Sequence, residues 1–196
     1  MISRALRGAV VATLVAGVVA VVRQRAEAKA AERGDQPRAG TVVDADPRTP
    51  YGPLARRLAT WVPPRPRTTL GRVAGALWAA PLTLVGLVFA AVSGASPRWD
   101  PTSGCLVTRG VRGPSRVALR SVGAHANAIG HVVLSWREEP SAALLAHEAV
   151  HVRQAERLGP LLFVLYVWLG ARYGYRDHPL ERAARLGARQ IAQNQP

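Results

Sequence analysis

The residues that can do chemistry sit close together, in His147-Glu148-Ala149-Val150-His151. Two His at i and i+4 lie one turn apart on the same face of a helix, so both imidazoles can reach one metal ion. Glu148, next to the first His, can point toward a water held by that ion and act as its general base. The local sequence favours the helix this needs. Pro140 and Ser141 read as its start, with Ser141 as N-cap, Ala and Leu fill the first two turns, and Gly159-Pro160 stops the run.

Two His leave a metal site incomplete, since hydrolytic zinc keeps three protein ligands and a fourth position for water. Downstream lies Arg176-Asp177-His178-Pro179-Leu180-Glu181. Pro179 suits the first turn of a new helix and places Glu181 just inside it. Glu181 follows His151 by 30 residues, enough for the rest of one helix, a turn, a connecting helix and a return. Glu181 is the first candidate for third ligand, with His178 and Asp177 as competitors. Glu181 can equally serve its own helix as a cap or as a partner of the helix dipole.

With HEAVH on one helix and a Glu downstream, the chain resembles the gluzincin class of zinc metallopeptidases. It resembles more closely a group of small membrane-anchored proteins of unassigned function. Their pattern runs from a GHV-type strand to HExxHVxQ, a GPLF-like apolar helix and Y-R-D-N-P-x-E-R-E-A. The matching pieces are Gly130-His131-Val132-Val133-Leu134, the stretch from His147 to Gln154, Gly159-Pro160-Leu161-Leu162-Phe163, and the stretch from Tyr175 to Ala184. The match covers about residues 70–190 and departs at His178, where Asn is usual, and at Ala183, where Glu is usual. The resemblance implies His147, His151 and Glu181 as Zn2+ ligands, Glu148 as the base, and peptide-bond hydrolysis as the activity.

The rest of the chain must position these groups. Residues 1–22 carry Arg4 and Arg7 ahead of an uncharged run at 8–22, which reads as a short membrane segment or a signal. Residues 23–69, rich in Arg and Pro, read as a linker, within which 51–61 can form a short amphipathic helix. Residues 73–95 hold no charge and are bracketed by Arg72 and Arg98, the pattern of a transmembrane helix that tolerates Pro81. The flanking Arg counts differ too little to fix the side of the membrane.

Residues 98–196 then form the metallopeptidase-like domain, of α+β class. Residues 105–108, 116–120 and 131–136 are short β-prone runs between turn residues, expected to pair as a small antiparallel sheet ahead of the HExxH helix and further helices. Val132, Val133 and Leu134 are expected on an edge strand that binds extended peptide substrate by its backbone. His125 and His131 read as structural. The apolar run 160–170 is too short for a span and reads as a helix on the core or dipped into the bilayer surface. Among the aromatic groups that follow, Tyr175 is the candidate to stabilise an oxyanion.

Composition bounds the partners. The net charge is +14, yet of 26 basic residues only Lys29 is a lysine, the mark of GC-rich codon usage. The basic residues are spread out rather than set in a stripe with interleaved aromatics, so no nucleic acid is expected as partner. The expected partners are a membrane and a peptide or protein substrate. Cys105 is alone, which excludes an intrachain disulfide and a CxxC site, and it reads as a small buried residue. The rival to the peptidase reading is a membrane-tethered interaction or assembly protein that keeps a structural metal site without catalysis.

Overall fold

The computed structural model describes residues 51–121 and 124–193. Residues 1–50 lie outside the described residues, and with them the N-terminal membrane segment and most of the linker. The described chain is α+β, with six helices and a four-stranded sheet.

The first helix, α1 (Pro53–Ala59), begins with Pro at its first turn and buries Ala55 and Ala59. This part of the Arg/Pro-rich stretch is a strap rather than free linker. Tyr51 donates a 2.6 Å hydrogen bond to the Asp177 carbonyl, and its ring meets Tyr173 edge to face. Local composition missed this because the contacts span more than a hundred residues.

Helix α2 (Thr69–Val92) is long and apolar enough to cross a membrane. Thr68 caps it by accepting from the Gly71 N–H, and it continues through Pro81. Its buried positions are Gly75, Ala79, Gly86 and Ala90, small residues that let the backbone come close to the domain. Gly130 is the partner of one such approach. It adopts φ +61° in the turn of a hairpin, and a Cβ there would run into the Thr83 backbone nitrogen.

Strands β1 (Arg98–Asp100), β2 (Cys105–Thr108), β3 (Ala126–Ile129) and β4 (Val132–Ser135) lie in the order β1-β2-β4-β3. The β1–β2 and β3–β4 pairs are antiparallel, but β2 and β4 run parallel. The sheet is therefore mixed, not antiparallel. The crossover between the parallel strands is made by helix α3 (Gly113–Ser121), which occupies the run expected as a strand at 116–120. The reason is visible in hindsight: Gly113-Pro114 opens a helix, and only Ser115 and Leu119, four apart, turn inward.

The parallel pairing also moves β4 to the middle of the sheet. Val132, Val133 and Leu134 are buried and paired on both sides, so they form core and not the substrate-binding edge. The free edge beside the motif helix is β3.

Three helices complete the domain: α4 (Ala142–Leu158), α5 (Leu161–Tyr173) and α6 (Pro179–Gln193). Ser141 caps α4 by accepting from Leu144 N–H, and Gly159, at φ +54°, ends it. One core cluster joins Ala79 of α2, Ala155 of α4, Leu162 and Leu169 of α5 and Leu180 of α6. A second joins Cys105, Val107 and Val133 of the sheet to Val152 of α4. The motif helix is thus clamped between the sheet, α2 and α6.

Candidate metal centre

Helix α4 presents His147 and His151 one turn apart, and α6 brings Glu181 to them. Glu181 Oε2 lies 3.2 Å from His147 Nε2, and its Oε1 lies 3.2 Å from His151 Nε2. The two Nε2 atoms are themselves 3.2 Å apart. These ligand atoms all fall within 4.8 Å of one another, a group that could hold a metal ion. Two imidazoles and a carboxylate from two helices therefore converge on one point.

The partners around this group fix how each ligand faces. His151 Nδ1 lies 2.9 Å from Gln154 Oε1, an acceptor, so Nδ1 carries a proton and Nε2 faces the group. Gln154 is fully buried one turn further along the same helix. Tyr166, from α5, donates a 2.6 Å hydrogen bond to Glu181 Oε1. Glu181 Oε2 is buried, with His147 Nε2 at 3.2 Å beside it but no well-formed hydrogen bond. A buried carboxylate oxygen left this way is costly unless something else satisfies it. Two imidazole nitrogens and a buried carboxylate whose second oxygen lacks a well-formed hydrogen bond fit a divalent cation.

The electrostatics agree. Burial would raise the Glu181 pKa, but the charge of His151 and contacts with both imidazoles hold it well below the usual carboxylate range. Burial likewise works against a charged His151, yet Glu181, Glu148 and Gln154 raise its pKa to about 9. In the metal-free chain a proton occupies the place a cation would take.

His178 and Asp177, the competing ligands, are used otherwise. His178 Nε2 donates to the Tyr166 carbonyl at 3.0 Å, and Nδ1 accepts from Leu180 N–H at 3.2 Å. Burial lowers its pKa to about 4, so it stays neutral with both nitrogens spent. It serves α6 as an N-cap, the task an Asn would perform there. Asp177 offers its carbonyl to Tyr51 and is not one of the grouped ligands.

Glu148 is buried beside the group and faces β3. Burial raises its pKa, while His147, His151 and a hydrogen bond from Ala128 N–H pull the other way. Tyr175 lies across the cleft, half-buried, with its pKa raised well above 10 by burial and then by Glu181. The loop that carries it is pinned by Arg185, which donates to the Tyr175 and Arg176 carbonyls. Two cavities of about 280 and 240 Å³ meet here, and Ala124, Ala126, His147, Glu148 and Tyr175 line both.

The remaining His stand apart from the metal group, as expected. His125 lies edge to face with Trp136 and lines the cleft. His131 bonds Glu156 at 3.1 Å and Thr83 at 3.3 Å, tying β4 to α4 and α2. Sequence reasoning missed Gln154 and Tyr166 as supports. Gln154 was inside the quoted motif, three residues after His151, where its spacing on the helix was the available signal. Tyr166 carried none beyond its place in an apolar run.

No protein-family profile matches this chain, and neither curated proteins nor solved structures provide a match.

Proposed function

We propose that the chain is a zinc-dependent peptidase of gluzincin type, with His147, His151 and Glu181 as ligands. The observation that carries this is the convergence of two imidazoles and the Glu181 carboxylate on one point, with a second buried carboxylate, Glu148, facing the cleft. A divalent ion bound there would supply Lewis-acid polarisation and a lowered pKa for water. Glu148 takes the proton of the attacking water and hands it to the leaving amine nitrogen, a role its raised pKa suits. The Tyr175 hydroxyl stays protonated at neutral pH and donates to the carbonyl oxygen as it gains charge. An extended peptide adds along β3, whose Ala126 lines the cleft and whose Ala128 N–H already orients Glu148.

The Glu148–Ala128 bond also favours a second reading, in which Glu148 only braces α4 against the sheet and the metal serves structure. One variant separates the two. With full-length protein and a quenched-fluorescent peptide library, Glu148→Gln should abolish hydrolysis while binding zinc at the wild-type ratio. Hydrolysis retained by Glu148→Gln would refute the catalytic assignment.

A further inference from the structure

The outer face of α2 has no cover within the described domain. Val73, Leu77, Leu84 and Val88 are exposed and, at 100° per residue, lie opposite the buried stripe of Gly75, Ala79, Gly86 and Ala90. For a helix on a water-facing domain this is inverted, since its solvent side is its greasy side. The face continues onto α5. Gly159, which leads into α5, packs against the Trp78 ring, and Leu161, Phe163 and Trp168 beyond it are exposed.

The same helix is fastened to the domain along nearly its whole length. Gly75 abuts Glu156, Thr83 bonds His131, Gly86 abuts Val132, and Ser93 donates to Ser115 at 2.7 Å. From residue 75 to 93 is about 27 Å of helix axis. A crossing of the bilayer would drag the β3–β4 turn, the Glu156–His131 pair and sheet edges to the depth of the hydrocarbon. Irregular backbone and ionisable side chains are costly there. Arginines mark both ends of the face instead. Arg67 and Arg72 are exposed at its start, and Arg98 is exposed a few residues past its end.

We propose that α2 and α5 form a monotopic docking face that lies flat in the interface of an anionic bilayer, so that the helix does not span. Apolar side chains enter the acyl region while the flanking guanidinium groups meet lipid phosphates. The metal cleft, on the far side of α4, stays in water beside the membrane.

The test is a depth measurement on the full chain in a Cys105→Ala background. Val73→Cys, Leu84→Cys and Ala91→Cys each carry a fluorescent label, on vesicles of phosphatidylcholine and phosphatidylglycerol brominated high or low on the acyl chain. The expected result is equal quenching at all three sites, stronger from the lipid brominated high. Deep quenching at Leu84 with shallow quenching at Val73 and Ala91 would show a crossing helix and overturn the proposal. So would no quenching at any site, as when residues 1–22 alone hold the membrane or another protein covers the face. The readout needs neither metal nor substrate, so its failure and a failure of the peptidase reading are distinguishable.

Discussion

Tyr166→Phe isolates the support of the third ligand. The substitution removes one oxygen, the donor of the 2.6 Å hydrogen bond to Glu181 Oε1, and leaves the ring against His178 at a centroid distance of 4.2 Å. A buried hydrogen bond to a carboxylate contributes about 1.5–3 kcal/mol. At about 1.4 kcal/mol per decade this corresponds to about tenfold to hundredfold, the range typical of lost partners to metal ligands. The loss falls on the metal-bound state. Without Tyr166, Oε1 in the metal-free chain can turn fully to protonated His151, whereas in the bound state both imidazoles are committed. The assay is a zinc competition titration against a chromophoric chelator, run beside urea unfolding of the metal-free protein. The expected outcome is a Kd raised about tenfold to hundredfold with a smaller loss of metal-free stability. An unchanged Kd with a fully expressed loss of stability would refute the argument and reduce Tyr166 to a brace of the fold.

Two further predictions rest on other residues. His178→Asn should keep the cap on α6 and the metal stoichiometry, while His178→Ala should cost about 1–2 kcal/mol in unfolding and still bind one metal; loss of metal in either folded variant would return His178 to the ligand set. Burial of Cys105, eased in part by Ser103, raises its thiol from 9.0 to about 11. Between those values the unfolded chain ionises first, so stability should fall as pH rises through the window, by about 2–3 kcal/mol from this group. The difference in urea midpoint between wild type and Cys105→Ala, followed from pH 8 to about 11, checks this; a constant difference would contradict it.

What the sequence made legible was local. Ser141 as cap, Gly159 as stop, and His147 and His151 on one face all follow from a helix of ordinary period. Spacing left Glu181, His178 and Asp177 open as the third ligand, and it is the docking of α6 on α4 that sets Glu181 beside the two imidazoles. What stayed hidden depends on pairing between distant segments. β4 reads as an edge or a centre equally well until β2 docks parallel to it, and in the 116–120 run Val117 and Leu119 share a strand face as readily as Ser115 and Leu119 share a helix face. The strap at 51–61 and the small-residue stripe of α2 likewise show their purpose only against α6 and α4. An apolar, uncharged run looks the same whether lipid surrounds it or a domain lies along one side.

Metal content by mass spectrometry on the purified full-length chain tests the central claim most directly, with wild type beside His147→Ala and Glu181→Ala. The account predicts one zinc per wild-type chain and loss of it in both variants, each still folded by circular dichroism. Zinc retained in Glu181→Ala, or none in a folded wild type after zinc loading, would contradict a centre built from His147, His151 and Glu181.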